Sequence, residues 1–144
     1  MKNQYVLNAA DQIISVGSGW DEFAIANNAP DSIARNVIGR RYWEFISGKE
    51  TISYMTSIFF ACRMDMQPFT ILYRCDSSEE KRLFRLSIRP GLDKMLTIEH
   101  QLLHSTSCSV PEKVVDFENR YDANRCSICC SFLVGDNWID PFTR

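Results

Sequence analysis

The chain is predicted to fold as an α+β domain built on an antiparallel sheet, and three observations predict it. In Phe69 to Cys75, Arg82 to Arg89 and Met95 to Leu103, apolar residues alternate with polar ones. Clean alternation of that kind marks strands with one buried and one wetter face. Between about Glu50 and Met64, Ile52, Met55, Phe59, Cys62 and Met66 fall on one helical stripe, so a long helix packs across something flat and apolar. The resulting order of strand, strand, helix, helical turns, helix and three strands groups the helices on one face of a five-stranded sheet.

The elements follow from the residues in turn. Tyr5 to Ala9 and Gln12 to Val16 are short apolar-rich runs broken at Ala10-Asp11, a hairpin pattern. Gly17-Ser18-Gly19 stops the second strand. Ser18 or Gly19 caps a helix from Trp20, with Asp21 and Glu22 suited to its first turn and Pro30 beyond its end. Residues 31–48 read as helical turns and loop, closing at Ser47-Gly48. Asp76 to Glu80 is a polar turn, and Pro90 to Asp93 turns the chain again before the last strand. From Ser105 to about Lys113 the composition shifts to Ser, Thr, Cys and Pro, a linker, and Val114 to Asn124 is expected to form a short polar helix.

The middle of this order carries Ile38-Gly39-Arg40-Arg41-Tyr42-Trp43-Glu44-Phe45-Ile46, and on those residues the chain resembles the PAS (Per-Arnt-Sim) sensory domains over roughly residues 4–103. The resemblance implies a sheet ordered 2-1-5-4-3 with the long helix lying across it. It also implies a non-enzymatic sensory module that binds a small apolar ligand or a partner protein and relays a conformational change, commonly as a homodimer. The expected organisation is a sensory domain over 1–104, a linker with a short helix over 105–124, and a cysteine-rich tail over 125–144.

Composition sets outer limits. A content of 45% apolar and 24% charged residues is that of a globular chain. A net charge of -2 argues against a nucleic-acid surface, which needs a clustered basic face. No stretch approaches ~20 apolar residues, and the first residues precede no apolar run of signal-peptide length. The chain is therefore expected to be cytoplasmic, with no membrane partner, and its six cysteines to be buried thiols or metal ligands rather than disulfides.

In PAS domains the ligand, when there is one, lies between the helix face and the sheet. The resemblance makes Trp20, Trp43, Phe45, Phe59, Tyr73, Cys75 and His100 the candidate lining. The same aromatic spacing is also that of a packed core. His100 is in phase with Leu96, Ile98 and Leu102 and is expected to face inward with Tyr73 and Cys75. Haem is disfavoured because haem-binding relatives carry their ligand His on or beside the long helix, and residues 49–66 contain none. Flavin is disfavoured because light-sensing relatives place an adduct-forming Cys on the helical turns, where this chain has Arg40-Arg41-Tyr42-Trp43. No nucleophile elbow, phosphate loop or His-Glu-x-x-His points to catalysis.

Cys126-x-x-Cys129 is the remaining signal. Two thiols at that spacing can chelate one Zn²⁺ from a tight turn, though a structural site needs four ligands. With Cys130 and Trp138, the segment resembles a cysteine-rich appendage of some bacterial two-component signalling proteins, which usually adds a second such pair downstream. An alternative function follows, a metal- or redox-responsive regulator acting through Cys126 and Cys129.

Overall fold

The first strand, β1 (Lys2–Leu7), buries Tyr5 and Leu7 and turns Lys2 to solvent. The computed structural model to which it belongs describes residues 2–76, 80–107, 126 and 128–139. β1 pairs antiparallel with β2 (Ile13–Val16), with an irregularity in register between Val6 and Leu7. The connection is held by Asn8, whose Oδ1 accepts the Ala10 and Gln12 amides at 3.0 and 2.9 Å. Asp11 sits in the left-handed region at φ 58, a conformation that Asp and Asn tolerate better than most residues.

Helix α1 (Trp20–Ala26) follows, then a 3-10 turn at Pro30–Ser32, helix α2 (Ala34–Val37) and a second 3-10 turn at Tyr42–Phe45. Asp21 of α1 accepts the Ala34 amide at 2.7 Å, starting α2. The chain between α2 and the second turn runs beside β2. The Ile13 amide donates to Arg40 at 2.9 Å, the Gly39 amide to Ile13 at 2.7 Å, and the Tyr42 amide to Asp11 at 2.8 Å. Gly39, at φ 89, makes that path possible.

The long helix α3 (Lys49–Asp65) begins after Gly48 and ends at Met66, which is itself left-handed at φ 51. It buries Met55, Ile58, Phe59 and Cys62. The predicted stripe is therefore shifted at its end. Met66 lies past the helix and is exposed, and Ile58, one position from Phe59, is buried in its place. Strands β3 (Phe69–Arg74), β4 (Glu80–Pro90) and β5 (Leu96–Ser107) complete the sheet, with a 3-10 turn at Leu92–Lys94. The five strands form one open antiparallel sheet in the order β2-β1-β5-β4-β3. Leu7, Ile88, Leu96 and Ile98 are fully enclosed at 0% exposure, so the core rests on the three middle strands.

The chain divides into two compact units. One holds residues up to Ile71 together with Arg85–Gln101, and the other holds Leu72–Phe84 and the described residues from Leu102 on. In the second unit Tyr73 stacks on Phe84 at 5.4 Å, and Asp76 accepts the Arg82 amide at 3.0 Å across the β3–β4 turn. A small hairpin of β6 (Phe132–Val134) and β7 (Asn137–Ile139) turns at Gly135 and Asp136. Residues 105–107, expected in the linker, belong to β5. The expected helix at 114–124 lies outside the described residues.

One orientation expectation, that for Cys75, is corrected. Cys75 is exposed, because β3 ends at Arg74 and Cys75 already belongs to the turn, its amide donating to Arg82 at 3.0 Å. Phe45 is 38% exposed at the end of its 3-10 turn, where the Arg40 guanidinium lies 4.7 Å from its ring centre. Among the described residues no helix is long and apolar enough to cross a membrane.

Candidate functional site

Four of the seven candidate residues come together in the first unit around two tyrosines. Tyr5 meets Trp20 edge-on with ring centres 5.7 Å apart, and stacks on Tyr42 and His100 at 5.8 Å each. Tyr42 contacts Trp43 at 5.0 Å and Phe59 at 5.4 Å, and Trp43 contacts Phe59 at 5.4 Å. These spacings are those of rings in direct contact. Tyr5 and Tyr42 are the residues that sequence reasoning passed over. Tyr5 alternates with Leu7 on β1, and Tyr42 adjoins Trp43, so both signals were present.

The polar tips of the cluster are individually anchored. Trp20 donates its indole N–H to the Ser32 carbonyl at 2.7 Å, and Trp43 donates to Asp11 Oδ2 at 2.8 Å. The Tyr5 hydroxyl and His100 Nε2 are 3.2 Å apart, and Tyr42 is hydrogen-bonded to Tyr5 in turn. Burial pushes the Tyr42 phenol up and pulls His100 down to about 4, so both are neutral at pH 7. Asn3 stands opposite His100 in the β1–β5 register, and its Oδ1 is buried without a hydrogen-bond partner. The arrangement is an uncharged relay of hydroxyl, hydroxyl and imidazole that can orient a polar group or exchange a proton.

Asp11 ties this cluster to α3. Its Oδ1 accepts Arg63 Nη2 at 2.7 Å, and the same nitrogen reaches the Asn8 carbonyl at 2.9 Å, while Arg63 Nε donates to the Lys94 carbonyl at 2.9 Å. One guanidinium therefore fastens the β1–β2 turn, the long helix and the turn before β5.

The other candidates lie elsewhere. Phe45 is under Arg40, while Tyr73 and Cys75 belong to the second unit, with Arg82 Nη2 3.8 Å from the Cys75 sulfur. A groove of about 330 Å³ runs along α3 to the start of β3, lined by Tyr54, Ile58, Ala61, Cys62, Pro68 and Phe69 among others. None of the seven candidates lines it. Phe60 and Met64 stand more than three-fifths exposed on the same helix, at 66% and 67%.

The cysteine segment forms a tight turn in the second unit. The Cys130 amide donates to the Cys126 carbonyl at 3.0 Å, and the Ile128 amide reaches the Cys126 sulfur at 3.4 Å. Cys129 is exposed with its sulfur 3.3 Å from Ser131 Oγ, and hydrogen bonds from the Ser131 hydroxyl and amide to that sulfur pull its pKa below the ordinary thiol value. Cys130 is buried, and its thiol donates to the Arg74 carbonyl at 3.1 Å while the Arg74 amide donates to Ile128. Cys126 and Cys129 supply two of the four donors that a structural zinc needs. Among the described residues no three His, Cys, Asp or Glu side chains stand together to hold a metal ion.

No protein-family model matches the chain, and no curated protein matches it in sequence.

Proposed function

We propose that the chain is a PAS-type, non-enzymatic signalling module that acts in the cytoplasm, binds a partner or a small apolar ligand, and relays a conformational change. The observation that carries this reading is the sheet order β2-β1-β5-β4-β3, with a helical-turn segment bearing Tyr42, Trp43 and Phe45 between β2 and α3. That is the order the family resemblance implies.

Of the two occupants, a partner protein is favoured, and a second copy of this chain is the simplest one. The rings of Trp20, Trp43 and Phe59 are in contact with Tyr5 and Tyr42, so they serve one another as packing partners. An apolar surface open to a visitor lies on α3, where Phe60 and Met64 are exposed one turn apart on one face. A ligand or partner acts as a signal only through its difference in affinity for two states of the module.

Native mass spectrometry of the purified protein, with sedimentation over a concentration series, tests the reading. The expected result is a homodimer that Phe60→Glu with Met64→Glu converts to monomer while far-UV circular dichroism is unchanged. A bound small molecule retained at one per chain would move the reading to the ligand arm. A chain that stays monomeric at tens of micromolar and retains nothing would refute the module altogether.

A further inference from the structure

The turn at Cys126–Cys130 places its three thiols in different circumstances, two outward and one sequestered. The Cys130 amide to Cys126 carbonyl bond, at 3.0 Å, closes one α-turn. In such a turn, residues three apart have Cα atoms about 5 Å apart and share a face, inside the ~4.4–6.8 Å that a disulfide spans. Cys126 and Cys129 are those residues. Cys129 is exposed, Cys126 is part-exposed, and their side chains are hydrogen-bonded to one another. Cys130 follows at φ 59, and this left-handed step sends its side chain away from the pair, where it bonds the Arg74 carbonyl.

We propose that Cys126 and Cys129 form a modification site, a dithiol that closes to an intramolecular disulfide on meeting hydrogen peroxide, while Arg74 holds Cys130 out of the reaction. Cys129 is the attacking sulfur. Its approach is open, and the Ser131 hydroxyl and the neighbouring thiol lower its pKa, which enlarges the reactive thiolate fraction. The Cys129 thiolate attacks one peroxide oxygen, so an S–O bond forms, the O–O bond breaks, and the departing hydroxide takes a proton to become water. The Cys126 sulfur then displaces hydroxide from the resulting sulfenic acid. An S–S bond forms, and the hydroxide leaves as a second water after taking the Cys126 proton. In sum, two thiols lose two electrons and two protons, and the peroxide is reduced to two waters.

The Ile128 amide, 3.4 Å from the Cys126 sulfur, donates to it and helps to hold that sulfur in the turn. The site is held in place by the two hydrogen bonds of Cys130 and Ile128 with Arg74, so closing the disulfide need not disturb β3. The proposal is independent of the sensory reading, because it concerns the chemistry of one turn and not the occupant of the first unit.

The test is peroxide titration of the reduced full-length chain, followed by denaturation, N-ethylmaleimide labelling and mass spectrometry. Labelling should fall by two of the six thiols, with the protein two hydrogens lighter. Fragmentation of the peptide beginning at Cys126 should place the remaining label on Cys130. Cys126→Ser and Cys129→Ser should each abolish the loss of the pair, while Cys75→Ser, which alters an exposed thiol outside the turn, should leave it intact. A disulfide that includes Cys130, a cross-linked dimer through Cys75 or Cys108, or full labelling after peroxide would overturn the proposal. So would stoichiometric zinc that is carried by the purified protein and blocks oxidation.

Discussion

Replacing Asp11 by Ala should unfold this protein more readily than its position in a surface turn suggests. Its carboxylate accepts Arg63 at 2.7 Å through one oxygen and the Trp43 indole at 2.8 Å through the other. The two charged side chains are only 14% and 19% exposed. A hydrogen bond to a charged group is worth about 1.5–3 kcal/mol, and a neutral N–H left without an acceptor costs about 1–3 kcal/mol where water is excluded. Partial exposure reduces both, and Arg63 keeps its bonds to Asn8 and Lys94. Ala at φ 58 adds about 1 kcal/mol, since only short polar residues and Gly tolerate that conformation well. The sum, after the discount, is about 3 kcal/mol.

Urea unfolding followed by circular dichroism measures it as a shift in midpoint at unchanged slope. Asp11→Asn separates the contributions, because Asn tolerates the backbone and still offers Trp43 an acceptor. It should lose about 1–2 kcal/mol. Combining Asp11→Ala with Arg63→Met should cost less than the two single changes added together. If Asp11→Ala unfolds at the midpoint of the parent, or the two changes are additive, Arg63 and Asp11 do not act as the clamp described.

Other outcomes follow from the same geometry. His100 has a folded-state pKa of about 4 against 6.5 unfolded, so its contribution is fully present above pH 6.5 and is lost as pH falls toward 4; about 2–3 kcal/mol should disappear over that window, and His100→Gln should flatten the urea midpoint there. Phe59→Ala removes a ring that is 1% exposed and should cost about 3–5 kcal/mol by the same assay. Met66→Gly relieves a left-handed side chain at the end of α3 that is 54% exposed, and should raise stability by about 0.5–1 kcal/mol; a loss would mean that the Met66 side chain is held in contacts outweighing its backbone strain.

What could be read from the sequence was whatever repeats along the chain. Alternation at Phe84, Leu86 and Ile88 and at Leu96 and Ile98 marks β4 and β5 because a strand turns every second residue to the core, and all five are buried. The α3 stripe was legible for the same reason until the helix stopped at Met66. Contacts between distant segments leave no such period. Arg63 meets Asp11 across 52 positions and Tyr5 meets His100 across 95, and nothing local to either residue announces its partner. Cys75 illustrates a third case, where the alternating pattern continued one residue past the place where hydrogen bonding to Arg82 turned the chain. The β6–β7 hairpin carries a local signal too, since Gly135-Asp136 between Phe132-Leu133-Val134 and a segment bearing Trp138 and Ile139 is a two-residue turn pattern.

The cysteine turn shows why spacing alone underdetermines chemistry. Cys126-x-x-Cys129 has the spacing of a metal knuckle and of a redox pair, and the two differ in where the next donors lie. Cys130, adjacent in sequence and the obvious third donor, is turned by its left-handed backbone onto Arg74 and buried to 5% exposure. Recruiting it to a metal would break its bond to the end of β3 and expose an acceptor there. Joining Cys126 to Cys129 breaks neither Arg74 bond. The disulfide is therefore the chemistry that the turn can complete with the fewest changes to its surroundings, and the fate of Cys130 under oxidation is the observation that distinguishes the two.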